Sequence, residues 1–208
     1  LSGSAADITA ALAGISGYAG DVTLTADHTL AELKAINNAT SGTITLNSYT
    51  VALNGSSADV AAALAGNFAS GYSGTITLTD AHTLPQLKAI NDAAGGTITL
   101  NDASVALSGS AADITAALTG ISGYTGALTA SGTQTGSAGV TALNALGTAT
   151  AGVVTATASG TAAELASLTT AGTDLIAVTL SDAHDLAQLK AINNATGGTI
   201  TLNDASVD

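Results

Sequence analysis

The sequence predicts a right-handed α/β solenoid of about eight coils, with a parallel sheet on one side and short helices on the other. The first observation behind this is internal repetition. Leu1-Ser2-Gly3-Ser4-Ala5-Ala6-Asp7-Ile8 returns as Leu53-Asn54-Gly55-Ser56-Ser57-Ala58-Asp59-Val60 and as Leu107-Ser108-Gly109-Ser110-Ala111-Ala112-Asp113-Ile114, and more loosely as Ala158-Ser159-Gly160-Thr161-Ala162-Ala163-Glu164-Leu165. These copies divide the chain into units 1–52, 53–106, 107–157 and 158–208 with no residue left over. A fixed period of that size belongs to stacked architectures, in which each unit buries its apolar side against its neighbours. The second observation is that each unit alternates β-branched runs with capped helical runs, twice. Strands joined by helices that return the chain to the same edge run parallel, with right-handed crossovers. The third is composition: 46% of residues are hydrophobic but only 2% aromatic, with no Met, Trp or Cys. The core must therefore be Ala, Val, Ile and Leu, side chains that suit thin, regular coils.

Within a unit the first helix should start at Ser4, where Ser4 and Asp7 form a shortened capping box, and run through Ile8, Ala11 and Leu12 to stop at Gly14. Its equivalents start at Ser56, Ser110 and Thr161. A glycine-rich turn around Tyr18 feeds the strand Val22-Thr23-Leu24-Thr25. The second helix starts at Thr29 with Glu32 three residues on, repeated as Thr83 with Gln86 and Asp185 with Gln188. Pro85, the single proline, falls in a first helical turn, where its missing N–H costs nothing. Leu30, Leu33 and Ile36 form an apolar stripe, with Glu32 and Lys34 turned outward. The chain returns through Thr40-Ser41-Gly42 to the strand Thr43-Ile44-Thr45-Leu46, and a short extension through Val51 leads into the next unit.

Aligning the strands on their glycines, or on the helix that follows, puts Val22, Ile44, Ile76, Ile98, Leu128, Val154, Val178 and Ile200 at one inward position. The next residue is threonine every time: Thr23, Thr45, Thr77, Thr99, Thr129, Thr155, Thr179 and Thr201. Because successive strand side chains point to opposite faces, these eight should form one outward ladder with neighbours about 4.8 Å apart. Threonine favours strands and stacked pairs support parallel pairing, which is the structural reading. The Thr-x-Thr triplets at Thr43, Thr75, Thr97 and Thr199 also resemble the arrays of β-solenoid ice-binding proteins. That resemblance implies a surface-binding module for ice or a polysaccharide, although those families lack a helix in every coil.

Three Lys, no Arg and fifteen acidic residues give a net charge of −12. That charge repels nucleic acid and anionic lipid and leaves divalent cations as the electrostatic partners. No segment has the length and apolarity of a membrane span. Asp27-His28, Asp80-Ala81-His82 and Asp182-Ala183-His184 recur at one place in three units, each followed by Lys34, Lys88 or Lys190. A His–carboxylate pair could do acid–base work or bind a metal. Unit three nevertheless has Ser137, Ala138 and Asn144 there while keeping the apolar Val140, Leu143 and Leu146. Packing survives where the chemistry does not, so the histidines read as turn and N-cap features. The chain is read as a non-enzyme with no catalytic, cofactor or metal residues. The Asn101-Asp102 and Asn203-Asp204 pairs offer oxygens to Ca²⁺, but turn chemistry explains them more simply. Tyr18, Tyr72 and Tyr124 recur in glycine turns and read as lids over coil edges rather than as a carbohydrate-binding row.

The repeated pattern spanning Thr79 to Leu100 and Leu180 to Leu202 resembles, across the whole chain, the repeats of very long secreted surface proteins of marine cyanobacteria and related bacteria. This resemblance implies an extracellular or cell-surface structural role in a filament, stalk or surface layer, and brings no active-site residues with it. The ends fit that expectation. Asn203-Asp204-Ala205-Ser206-Val207-Asp208 corresponds to Asn101 to Ala106, and the residue due next is the equivalent of Leu1. Copies of the chain, or flanking repeats, should therefore meet head to tail, through Leu1, Ile8 and Leu12 on one side and Thr199, Ile200, Leu202 and Val207 on the other. Such a heterologous contact does not close and generates a filament.

Overall fold

The computed structural model describes residues 1–203, a mixed α/β protein of parallel sheets and helices divided into two compact units. The first unit comprises Leu1–Asp102 with Ala116–Ile121, and the second Ala103–Thr115 with Ser122–Asp208. Val207, one of the expected assembly residues, and Asp204 lie outside the described residues.

In the first unit, strands β1 (Ser2–Gly3), β2 (Val22–Leu24) and β3 (Ile44–Thr45) form one parallel sheet, and β4 (Leu53–Gly55), β5 (Ile76–Leu78) and β6 (Ile98–Thr99) a second. Helices α1 (Ala5–Leu12), α2 (Leu30–Ala39), α3 (Ser57–Leu64) and α4 (Leu84–Ala93) connect them, each packed on the next. The second unit holds a single five-stranded parallel sheet in the order β11-β10-β9-β8-β7. Its strands are β7 (Leu107–Gly109), β8 (Leu128–Thr135), β9 (Val154–Gly160), β10 (Leu175–Leu180) and β11 (Ile200–Thr201). The remaining helices are α5 (Ala111–Leu118), which contributes residues to both units, α6 (Gly136–Ala149), α7 (Ala162–Leu165) and α8 (Leu186–Ala195).

Local chemistry sets the helix starts where the sequence puts them. Ser4 caps α1 by accepting the Asp7 N–H at 3.1 Å, and Thr29, Thr83 and Asp185 form reciprocal capping boxes with Glu32, Gln86 and Gln188. Pro85 sits within the first turn of α4, and Gly14 ends the first helical segment with φ of 77°. Helix α6 departs from its counterparts. It runs for 14 residues, starting four residues before Val140, the equivalent of Leu30, and carries no side-chain cap; unit three has no Asp–His turn before this helix.

The inward column is as expected. Val22, Ile44, Ile76, Ile98, Leu128, Val154 and Val178 are buried and Ile200 is half-buried. Leu46, Leu33 and Leu87 are buried too, whereas Leu100 and Leu189, expected in the same core, are half-buried.

The strand plan needs correcting. The Leu-Ser/Asn-Gly stretch that opens a repeat is a strand of its own, β1, β4 or β7, rather than an extension. Residues 44–55 stay beside residues 68–78 throughout. Ile44 bridges Phe68 in parallel, Ser73 and Gly74 donate to the Tyr49 carbonyl at 2.8 and 3.0 Å, and Leu53 pairs with Ile76. One crossing of the sheet thus carries two pairing stretches, β3 and β4. In the second unit the same two stretches are fused into β9. Close approach holds the crossings in register: a Cβ on Gly96 would strike the backbone of Gly74.

Three buried threonines that the sequence reading passed over as turn residues fasten one crossing to the last. Thr40, Thr150 and Thr196 donate to the carbonyls of Gly20, Gly126 and Ile176 at 2.8, 2.7 and 2.8 Å, and each accepts the N–H of the glycine two residues on. The visible signal is the Thr-x-Gly that follows three of the helices.

Candidate functional site: the strand face and the helix flanks

Two surfaces could carry the function, the outward face of the strands and the flanks of the helices. On the strand face the predicted threonines are all exposed or half-exposed. They do not form one ladder. The pairings are Ser2–Thr23–Thr45, Asn54–Thr77–Thr99, Ser108–Thr129–Thr155 and Ser159–Thr179–Thr201. The predicted neighbours Thr45 and Thr77 are separated because Thr77 faces Asn54 on β4, while Ile44 beside Thr45 faces Phe68. Likewise Thr179 faces Ser159, and Thr155 faces Leu175, which is 52% exposed. Aligning strands on their helices brings every threonine to one line. The hydrogen-bonded register instead shifts the rung by nine residues between Ile44 and Leu53, and by four between Val154 and Ala158, which occupy the corresponding places. The face is therefore a set of short staggered rungs, each two threonines wide.

The histidines are corrected as well. His28, His82 and His184 are 5%, 3% and 4% exposed, so their rings lie in the interior and not in the turn. The aspartates before them hold the turn position. Asp80 accepts the N–H of Ser57, the first residue of α3, and Asp182 that of Ala162, the first of α7, both at 2.7 Å. Each thereby satisfies a free donor at a helix N-terminus. Burial holds the His28 imidazole below its ordinary pKa against the opposing pull of Asp27 and Glu32. It does the same at His82 against Asp102 and Asp80. Nε2 of His28 lies 3.5 Å from the Tyr72 hydroxyl, ring edge toward ring face. Tyr72 and Tyr124 are buried lids whose hydroxyls donate to the carbonyls of Val51 and Val105, and burial pushes Tyr72 up to about 12. Buried rings of this kind do not make a carbohydrate-binding row. Among the described residues no three His, Asp or Glu side chains are grouped to hold a metal ion, and no helix is long and apolar enough to cross a membrane.

The helix flanks carry a repeated joint. On α2, Lys34 pairs with Asp59 of α3, Asn37 Nδ2 donates to the Ala62 carbonyl at 2.6 Å, and Leu30 covers Gly55 so closely that a Cβ there would collide with it. On α4, Asn91 Nδ2 reaches the carbonyls of Ala116, Ala117 and Thr119 at 2.8–3.0 Å. On α6, Asn144 donates to the Ser167 carbonyl and accepts the Thr169 N–H. In each case an asparagine satisfies the orphan backbone groups at the C-terminal end of the next helix. The sequence shows these asparagines plainly but not what they bond.

Helix α8 has the same residues at the α2 positions: Leu186, Leu189, Lys190 and Asn193 for Leu30, Leu33, Lys34 and Asn37. Here they line an open groove of about 390 Å³ with Ile200 and Leu202. Leu186 is 70% exposed, and Lys190 makes no ion pair among the described residues. On α1, Ala11 is exposed, whereas its equivalents Ala63 and Ala117 are 0% exposed. Of the expected assembly residues, Leu1 and Thr199 are exposed and Ile200 and Leu202 half-buried. Ile8 and Leu12 are buried in the chain's own core and offer no contact surface. Comparison with protein-family models, with curated proteins and with solved structures gives no match.

Proposed function

We propose that this chain is a structural repeat protein of the cell exterior whose α/β repeats continue, head to tail, from one copy into the next as a right-handed solenoid, forming part of a filament, stalk or surface layer. The observation that carries this reading is that α2 and α8 share nine of ten residues, differing only at Glu32 and Gln188, while α3 packs against α2 and the flank of α8 is bare. A surface already shaped for a repeat is energetically incomplete without one, since its apolar side chains and free strand edge face water. The net charge of −12 keeps copies from associating without shape complementarity and makes assembly sensitive to salt. Sedimentation velocity across a concentration series, with negative-stain imaging of the same samples, tests the reading. Linear polymers that lengthen with concentration are expected, and a monomer at every concentration would overturn it. The threonine-surface alternative loses support from the staggered rungs, and absence of thermal hysteresis is its expected outcome.

A further inference from the structure

We infer that the groove on α8 is the acceptor for helix α1 of a second copy, seated as α3 is seated on α2. This rests on the head-to-tail reading and adds to it a specific joint. The α2–α3 contact inside the chain serves as the template, and the positions transfer by a constant offset because Leu1 to Asp7 aligns with Leu53 to Asp59. Leu30 lies over Gly55; correspondingly, Leu186 lies over Gly3 of the second copy, and around Gly3 a Cβ now meets nothing closer than 3.8 Å. Lys34 pairs with Asp59; Lys190 pairs with Asp7, an exposed carboxylate held in place by the Ser4 hydroxyl at 2.7 Å. Asn37 donates to the Ala62 carbonyl; Asn193 donates to that of Ala10. Ala11, bare in one copy, becomes covered like Ala63.

The strand edge beside the groove is open as well. Ile44 donates to the Asn67 carbonyl at 2.8 Å and accepts the Ala69 N–H at 3.0 Å. Ile200 occupies the place of Ile44, and the Val178 N–H donates to the neighbouring Thr199 carbonyl, so the N–H and C=O of Ile200 point away from β10. The loop after α1, Gly14 to Gly20, is two residues shorter than Gly66 to Gly74 and holds Gly14 and Gly17 at φ of 77° and 72°, so the template is carried by the helix contacts and not by this loop. Charge and shape at the helix flank thus agree on one occupant.

The chain has no cysteine, so an engineered pair reports the joint without background. In the variant carrying both Gly3→Cys and Leu186→Cys, mild oxidation should produce a ladder of disulfide-linked multimers on a denaturing non-reducing gel. Either single variant should stop at the dimer. The pair Leu30→Cys with Gly55→Cys, which places the same geometry inside one chain, should close within the monomer and calibrates the reach of the bond. If the internal pair closes and wild-type protein polymerises but Gly3→Cys/Leu186→Cys gives no ladder, the joint is wrong while head-to-tail stacking stands. If wild-type protein never polymerises, the wider reading fails. As a second measurement, Lys190→Glu should weaken polymerisation at low salt, and combining it with Asp7→Lys should restore it with circular dichroism unchanged. Equal assembly by wild type and Lys190→Glu would overturn the ion pair.

Discussion

Helices α2 and α8 share the pattern Leu-Ala-Glu/Gln-Leu-Lys-Ala-Ile-Asn-Asn-Ala, and both start at a reciprocal capping box. Their inward faces agree: Ile36 and Ile192 are both 0% exposed. Their flanks do not. Leu33 is fully buried where Leu189 is half-buried, and Lys34 is ion-paired where Lys190 is not, among the described residues. The difference teaches that a repeat's sequence sets its own helix and its seat on the sheet, while the burial of its flank depends on what packs beside it.

The sharpest way to probe that contrast is truncation of the shared leucine. Leu33→Ala should lower unfolding free energy in urea by about 2–5 kcal/mol, because a fully packed site leaves a cavity. Leu189→Ala should cost far less in the monomer and act chiefly on assembly. Equal losses at the two sites would dissolve the comparison.

The histidines extend the contrast to pH. His28 and His82 have folded-state pKa values lowered by burial from 6.5, so below that value the unfolded chain takes up protons that the folded chain refuses. The stability they lend is present above about pH 6.5 and is lost as pH falls toward their folded values. The melting temperature should therefore drop between about pH 7.5 and pH 5.5, and the double variant His28→Gln, His82→Gln should flatten that slope. Glu32, held below the usual carboxylate range by the Thr29 N–H, adds its own loss only at more acidic pH. A melting temperature that did not change across the higher window would show that these rings are not excluded from protonation.

A smaller effect is expected at the asparagines. Asn37→Ala should cost about 0.5–1.5 kcal/mol by releasing the Ala62 carbonyl, whereas Asn193→Ala should leave monomer melting unchanged. The smallest effect belongs to the lysines. Lys34→Ala removes an exposed ion pair and should be detectable only at low salt, if thermal melts are compared at low and high ionic strength.

The sequence by itself determined the helices, their caps, the parallel strand–helix alternation and the inward column of Val, Ile and Leu, because these follow from nearest-neighbour chemistry and periodicity within some twenty residues. It also made the internal repetition visible, in the correspondence of Leu1 with Leu53 and Leu107. Tertiary structure alone decided which strand residues are neighbours. Register depends on backbone hydrogen bonds between segments more than twenty positions apart, such as Leu53 to Thr75, and on the double-length crossing that pairs with both Phe68 and Ile76. Eight threonines that align in sequence are consequently staggered in space. Tertiary structure likewise turned His28, His82 and His184 inward. The Asp–His turn has the same local sequence whether its ring points to solvent or to the core, and the interior beneath Tyr72, 44 residues further on, chose the core for His28.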